Sequence, residues 1–361
     1  MIFQKDTVQI IVTDCGPCSY VRWRNWAHVM TAAANGEANI VVTNRPLMDE
    51  AALSHTASVV VARPTTSEHG AWIRNLARFK NRFRFKVLVD LDDLLFDLQG
   101  RNPIPSFNPF DKDPFEIGKL LETSFQYVDA VIVSTAFLKA CVISRFPAMA
   151  NRVVVFGNFI PTSMFCDMHG THDDDGILDI VYGGAANHFS ESDPGDIAGP
   201  WIGALDKVLD SGNARLHIFG ESTGPFKGKN LLLHNHVDAS QWPSTVSGFA
   251  PDIYIGPLVD HPFNRCKSDI KYLEACAIGS VFIGSDFNDS PYRKALVKVG
   301  KDTDELVLAS LIECFRDEGY RKDVVDRQKD YIAYNARTME DRASQDAFMK
   351  LLFHDYLSIV G

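Results

Sequence analysis

Asn264-Arg-Cys-Lys-Ser-Asp-Ile-Lys-Tyr-Leu-Glu-Ala-Cys-Ala-Ile-Gly-Ser-Val-Phe-Ile-Gly-Ser285 decides how the chain folds. The stretch reads as a helix that opens with cations, carries a carboxylate seven residues after Lys267, stops at Gly279 and feeds a buried strand. On a helix, Lys267, Lys271 and Glu274 stand at i, i+4 and i+7 and share one face. Ile270, Leu273, Ala277 and Ile278 occupy the adjoining face and can pack onto a sheet. Gly279 is a natural C-terminal stop, and Val281 to Ile283 read as a short core strand. Unpaired N–H groups and two lysines at a helix start suit a diphosphate. A carboxylate two turns further along can accept hydrogen bonds from ribose hydroxyls. A solvated Lys/Glu pair is the plainer explanation of the same spacing.

Outward from this stretch, apolar runs recur between helical patterns. The first series is Val8–Val12, Ile40–Thr43, Ser58–Ala62, Lys86–Val89, Ala130–Val133 and Arg152–Phe156. The second is Ile177–Tyr182, Arg215–Phe219, Leu231–His234, Ile253–Ile255 and Val281–Ile283. Such alternation predicts an α/β protein of two Rossmann-like, doubly wound domains facing a cleft. The expected division is residues 1–160, a linker over 161–178 rich in His, Asp and Gly, a second domain over 179–335, and a C-terminal segment over 336–361. The last segment carries a helix over Ala347–Ile359, expected to pack back toward the first domain. Ligands are then expected at the carboxyl ends of the strands, in the cleft.

The 361 residues suit two domains. With 46% hydrophobic and 23% charged residues the composition is that of a soluble globular protein. No apolar run approaches a membrane span, and Gln9–Thr13 is too short for the core of a signal peptide. Seven scattered cysteines, with Cys15 and Cys18 the only Cys-x-x-Cys, point to reduced thiols in a cytoplasmic protein, or in host cytoplasm if the protein is viral. Residues 1–89 carry 11 Lys and Arg against 6 Asp and Glu, leaving 25 against 40 for the rest. Such asymmetry suits different ligands on the two halves.

Four further constellations bear on chemistry. Ile180-Val-Tyr-Gly-Gly-Ala-Ala-Asn-His-Phe-Ser-Glu-Ser-Asp193 runs a strand into Gly183 and Gly184, which let backbone amides approach a phosphate or sugar. A tight strand exit explains the glycines equally well, and the pattern is not GxGxxG. Tyr254-Ile-Gly-Pro-Leu-Val-Asp-His-Pro-Phe-Asn264 ends a strand at Pro257 and Leu258, where backbone groups can meet a flat base. Asp260, His261 and Asn264 are placed to reach sugar hydroxyls. Lys86-Val-Leu-Val-Asp-Leu-Asp-Asp-Leu-Leu-Phe-Asp97 ends a strand in carboxylates, which are costly when buried unpaired. Asp90 and Asp92 fit a metal-binding Asp-x-Asp, or the nucleophile and acid of a haloacid dehalogenase-like phosphatase. They also fit an acceptor loop whose acids orient or deprotonate a hydroxyl. Helix capping by Asp92 or Asp93 is the ordinary structural role. Finally, Arg74, Arg78, Lys80, Arg82, Arg84 and Lys86 interleave with Phe79, Phe83 and Phe85. The pattern suits a polyanion or simply a basic helix end. Tyr20, Arg22 and Arg24 in Tyr20-Val-Arg-Trp-Arg-Asn-Trp26 form a similar cluster after the first strand.

Leu273-Glu-Ala-Cys-Ala-Ile-Gly-Ser-Val-Phe-Ile-Gly-Ser285 resembles the LEAMACGxPVIAS stretch of group 1 nucleotide-sugar glycosyltransferases of the GT-B fold. Gly256-Pro-Leu, Asn264 and Lys267-Ser-Asp-Ile-Lys271 resemble a subgroup with an N-x-x-K-S-x-x-K-x-x-E pattern. Asp90–Phe96 and Val131–Leu138 resemble stretches of the first domain of such enzymes. The resemblance implies transfer of a hexosyl or pentosyl group from a nucleoside diphosphate, UDP foremost, to an acceptor hydroxyl. It implies that Glu274 binds ribose, that Lys267 and Lys271 neutralise the diphosphate, and that Gly183 and Gly184 lie near the donor phosphates, with Ser268 counted among the donor-binding residues. It implies no cofactor beyond the nucleotide sugar and no metal on Asp90 and Asp92. Many members carry a glutamate eight residues before the ribose glutamate, and here that position is Cys266. Sugar contact is then expected from Asp260 or Asn264. Asp92, Asp93 and His188 are the candidates for a general base. The acceptor is expected to be a saccharide or small molecule, or a hydroxymethylated base in DNA, which the basic first domain and Tyr20, Arg22 and Arg24 would meet. The competing readings are the phosphatase and a non-catalytic nucleotide-sugar-binding protein.

Overall fold

The computed structural model describes residues 6–13, 16–33, 38–96, 114–165, 176–184, 195–197, 199–220, 225–335 and 337–353. The first half comprises β1 (Thr7–Val12), α1 (Pro17–Ser19), a π-helical turn (Tyr20–Arg24), α2 (Asn25–Ala33), β2 (Asn39–Thr43), α3 (Glu50–His55) and β3 (Thr56–Ala62). It continues with α4 (Ser67–Phe83), β4 (Lys86–Leu91), α5 (Pro114–Ser124), β5 (Ala130–Val133), α6 (Ala136–Arg145) and β6 (Val153–Val155). The second half comprises β7 (Leu178–Tyr182), α7 (Trp201–Asp210), β8 (Ala214–Phe219), β9 (Leu231–His234), α8 (Trp242–Phe249), β10 (Ile253–Gly256), α9 (Pro262–Cys266) and α10 (Ile270–Ile278). It ends with β11 (Val281–Asp286), β12 (Val297–Gly300), α11 (Glu305–Cys314), α12 (Glu318–Tyr334) and α13 (Arg342–Phe353).

Two parallel sheets result, ordered β2-β1-β3-β4-β5-β6 and β12-β11-β10-β7-β8-β9. Their central strands are Val- and Ile-rich and buried on both faces, because helices cover each side. Strand order reverses between β1 and β3 in one sheet and between β7 and β10 in the other. Each reversal leaves a crevice at the carboxyl ends of those strands. The segments that leave β1, β3 and β4 therefore face those that leave β7 and β10 across one cavity of about 350 Å³.

The chain crosses between the sheets twice, and the two crossings are stitched together. Ile160 N–H donates to Arg337 O, and Met339 N–H donates to Ile160 O. Arg337 also donates to Asn158 O and to both oxygens of Asp269, at the start of α10. Beyond this seam α13 returns to the first sheet. Phe348, Leu351 and Leu352 join Val8, Ile10, Trp23 and Trp26 in one core, with Phe348 stacked on Trp26 at 4.7 Å.

One element departs from the sequence expectation in a way that matters for the cleft. The single helix expected to open near Asn264 is two helices, α9 and α10, joined by the extended Lys267 (φ −62°, ψ 156°). Their packing explains the break. Phe263 and Cys266 of α9 enter the core of the first domain, whereas Tyr272, Leu273, Ala275 and Cys276 of α10 pack on the second sheet. One straight axis cannot satisfy both surfaces. Lys267 consequently precedes α10 and does not ride on its face. Among the described residues β12 is a strand that apolar periodicity did not predict, because Leu296-Val-Lys-Val-Gly300 alternates over too short a run.

Candidate functional site

The wall supplied by the second domain begins at the start of α10. Asp269 is its N-terminal flanking residue, but its carboxylate is held by Arg337 and gives the helix no side-chain cap. The first turn of α10 is thereby left to meet a ligand. Lys267, Ser268, Ile270, Lys271 and Glu274 all line the cavity. Among the described residues Lys271 Nζ is buried without a hydrogen-bond partner, lying over the Tyr182 ring at 4.5 Å and within the field of the Asp196 and Glu274 carboxylates. Burial, and then the neighbouring Lys267 charge, lower its pKa to about 8. Lys267 Nζ lies 4.6 Å from the Phe263 ring centroid at the mouth of the same cavity.

Glu274 sits one turn deeper. Tyr254 Oη donates to its Oε2 at 2.8 Å, and the Trp242 indole N–H also donates to the carboxylate. Burial raises its pKa, and these two donors together with Lys271 pull it back. The glycines after β7 make this arrangement fit. A methyl group on Gly183 would lie 2.0 Å from Tyr254 Oη and 2.8 Å from the Trp242 ring, and one on Gly184 would lie 2.2 Å from the Tyr182 ring. Both glycines line the cavity. Gly183 allows close approach of the aromatic residues that hold Glu274, and Gly184 close approach of the Tyr182 ring under Lys271.

The first-domain wall is built on Asp90, Asp92 and Asp93 at the end of β4. Arg22 reaches Asp90 with Nε and Nη2, at 3.0 and 2.8 Å from Oδ1. Trp23 donates its indole N–H to Asp90 Oδ2 at 2.8 Å. Arg22 also bonds the carbonyls of Phe156 and Gly157. Asp92 behaves differently. Its Oδ2 pairs with Arg63 Nη1 at 3.1 Å, while its Oδ1 is buried without a hydrogen-bond partner among the described residues. Burial, ahead of the Arg63 charge that opposes it, raises its pKa to about 6. Arg63 follows β3 with φ +50°, a conformation uncommon outside glycine, and its second nitrogen lies 3.8 Å from Asp93. Ser134 Oγ donates to Asp92 O and ties this loop to β5. Cys18, Asp92 and Asp93 place one ligand atom each within 4.8 Å of one another, so this group is the one among the described residues that could gather around a cation. Arg63 already supplies positive charge there.

Several expected site residues lie elsewhere. Arg22 is an interior counter-ion to Asp90 and is absent from the cavity lining, so it cannot meet an acceptor. Arg24 stacks over Tyr20 at 5.3 Å, and of the two only Tyr20 lines the cavity. Asp260 pairs with Arg265 on the surface, outside the cavity. Asn264 is fully buried and donates to Asp196 Oδ1 and Val259 O, so it supports the wall from behind. Pro257 is buried behind Leu258, whose amide donates to Ser285 Oγ and so is not offered to a base. The Ser268 hydroxyl lines the cavity and accepts from Asn158 Nδ2 at 2.7 Å, linking the two walls. His188 falls outside the described residues. With Asp90 at 0% exposure and both oxygens engaged, Asp90 is not placed to serve as a phosphatase nucleophile.

The basic stretch Arg74–Lys86 runs from the middle of α4 to the start of β4, at the end of the strand opposite Asp90, and none of its residues lines the cavity. Lys86 opens β4, and Asp90 lies near its other end. At about 3.3 Å per residue Lys86 stands ~13 Å from Asp90 along the strand. Lys80 pairs with Asp129 and Arg82 with Glu50, while Phe79, Phe83 and Phe85 pack on the core. Arg63, Trp242, Tyr254, Asp196 and Asn158 were not legible as site residues. They come from separate places in the chain, such as the end of β3 for Arg63, the strand β10 for Tyr254, the start of α8 for Trp242 and a short 3-10 turn for Asp196.

No protein-family model and no curated protein matches the sequence. Solved structures do match in fold. A glycosyltransferase from Rickettsia africae ESF-5 superposes with a TM-score of 0.60 at 11% identity, covering 98% of this chain and all of the other. HepE from Anabaena in complex with UDP and glucose superposes with a TM-score of 0.58 at 11% identity, over 96% and 99% of the two chains. An Escherichia coli trehalose-6-phosphate protein bound with UDP-2-fluoro glucose gives 0.53 at 12% identity, over 82% of this chain and 73% of the other. The two facing parallel sheets and these superpositions identify the architecture as GT-B.

Proposed function

We propose that the chain is a glycosyltransferase that moves a sugar from a nucleoside diphosphate, UDP in the first instance, to the hydroxyl of a saccharide or small molecule. The observation that carries this reading is Lys271. A buried ammonium without a partner, beside Lys267 and at an uncapped helix start, is costly unless an anion completes it. A departing diphosphate is such an anion, and stabilising its charge is the main catalytic demand of the reaction. Glu274, already oriented by Tyr254 and Trp242, accepts hydrogen bonds from the ribose hydroxyls. The GT-B proteins bound with UDP or a UDP sugar make uridine the first nucleotide to test.

On the opposite wall Asp92 takes the proton of the acceptor hydroxyl. Asp92 lines the cavity that both walls share, its Oδ1 has no hydrogen-bond partner among the described residues, and Arg63 fixes the other oxygen. A base whose pKa is about 6 is ionised at neutral pH, yet retains more proton affinity than an ordinary carboxylate. Arg63 supplies the local positive charge, so the reading requires no metal and no cofactor besides the nucleotide sugar. A DNA acceptor finds no support in the placement of charge, since Arg74–Lys86 lies away from the cavity and Arg22 is interior. The test is turnover of a panel of UDP sugars with purified protein. Release of UDP dependent on an added acceptor supports a transferase, whereas tight UDP binding with no turnover on any acceptor would favour the non-catalytic binding protein.

A further inference from the structure

The contact between α6 and α9 brings together two thiols from different domains. Cys266 Sγ lies 3.8 Å from Cys141 Sγ, with the Cys266 thiol donating to the Cys141 sulfur. Cys266 is fully buried and Cys141 is half-buried. Thr135 Oγ1 donates to Cys266 O at 3.0 Å, which pins the end of α9 beside the start of α6. Both cysteines are free thiols here, so the pair is reduced.

We propose that Cys141 and Cys266 form an oxidation site whose disulfide clamps the two domains together across the cleft. A disulfide needs sulfurs about 2.05 Å apart, so the pair must close a gap of under ~2 Å. Cys141 is the attacking sulfur. It is the more exposed of the two, and the hydrogen bond from Cys266 favours its thiolate and lowers its pKa. Its hydrogen bond to Cys141, and then burial, push the Cys266 thiol up, so it acts second, as the resolving thiol. With a peroxide as oxidant, the Cys141 thiolate and one proton take an oxygen from hydrogen peroxide, giving a sulfenic acid and water. The Cys266 thiol then displaces hydroxide from that sulfur as a second water. Two thiols and one peroxide thus yield one disulfide and two waters, and the two electrons lost by sulfur reduce the peroxide.

The consequence follows from what α9 carries. Phe263 of this helix lines the cavity, and Lys267 follows it directly. Covalently fixing α9 to α6 holds this edge of the second domain against the first. Domain opening, through which nucleotides enter and leave a two-domain cleft, is then restricted. The site itself does not depend on the transferase reading, because the linkage can be read without any substrate.

The experiment treats the full-length wild-type protein with hydrogen peroxide, quenches free thiols with an alkylating agent, and maps peptides without reduction. The expected result is a peptide linked through Cys141 and Cys266, absent after dithiothreitol. Hydrogen exchange should slow in α6 and α9 of the oxidised protein, and Tm should shift upward. Cys141→Ser should give no such peptide and no shift in Tm with peroxide. Oxidation of Cys141 to its sulfinic acid without linkage would overturn the proposal, as would oxidation confined to the exposed Cys314. A linked peptide accompanied by unchanged exchange in α6 and α9 would overturn the clamp.

Discussion

On the first-domain wall the buried guanidinium groups have their carboxylates: Arg22 rests on Asp90 and Arg63 on Asp92. On the second-domain wall Lys271 is buried over a tyrosine ring with no carboxylate in reach of a hydrogen bond. Burying charge is tolerable when it is paired and costly when it is not. The first wall is therefore complete as it stands, with one spare oxygen on Asp92. The second holds an ammonium that feels the Asp196 and Glu274 charges but that no hydrogen bond satisfies, so it gains most from a bound anion. This contrast assigns the diphosphate to one side and the neutral, hydroxyl-bearing reactant to the other.

The contrast breaks first at Lys271. Lys271→Met should lower kcat/KM by two to three orders of magnitude, the usual loss when one group facing developing charge is removed. The same variant should be more stable than the wild type when no nucleotide is present. A lysine held at a pKa of about 8 instead of 10.5 costs the folded state on the order of 3 kcal/mol at pH 7. The unfolded chain binds the extra proton between those two values, so this cost fades, and stability rises, as pH climbs from about 8 toward 10.5. Thermal denaturation of the two proteins at pH 7 should show the variant melting higher, and an unchanged or lower Tm would contradict the unpaired-charge account.

Gly183→Ala tests the aromatic support behind the same wall. Its methyl group meets Tyr254 Oη at 2.0 Å, so Tyr254 must move away from Glu274. UDP affinity measured by calorimetry should fall by about tenfold or more, equivalent to losing a charge-assisted hydrogen bond of roughly 1.5–3 kcal/mol. Asp92→Asn probes the opposite wall. It should cut kcat by about 10²-fold or more, while UDP affinity stays within twofold. A parallel loss of UDP binding would mean the two walls do not divide the work as described.

The pH profile sharpens the division further. Asp92 must be ionised and Lys271 protonated, so kcat/KM should rise through about pH 6 and fall through about pH 8. Loss of the acidic limb in Asp92→Asn would tie that limb to its group. The smallest expected effect is that of chelation. Arg63 already neutralises the carboxylate group, so EDTA should leave turnover within about twofold. A loss restored by Mg²⁺ or Mn²⁺ would instead place a cation among Cys18, Asp92 and Asp93.

Much of the fold was legible because buried parallel strands announce themselves as Val- and Ile-rich runs. Thr56–Ala62 and Ala130–Val133 are such runs, and Gly279 ends α10 in the left-handed conformation that its position suggested. Lys267, Lys271 and Glu274 were legible as a cluster, although their geometry was not. Spacing predicts one helix only while a single surface demands burial, and α9 and α10 bury against different domains. The charge clusters misled for a related reason. A sequence lists Arg22 and Arg74–Lys86 as cations without saying that one is an interior counter-ion and the others lie along α4 and the start of β4, outside the cavity lining. Trp242, Tyr254 and Arg63 carry no local signal at all, because they matter only through what stands opposite them.

The claim that Lys271 waits for a diphosphate is tested most directly by titrating UDP and uridine into the wild type and Lys271→Met at pH 7. The account predicts that UDP binds the variant at least about a hundredfold more weakly, the ~3 kcal/mol expected of a desolvated charge pair, while uridine binds both proteins alike. Equal UDP affinity for the two proteins would contradict it.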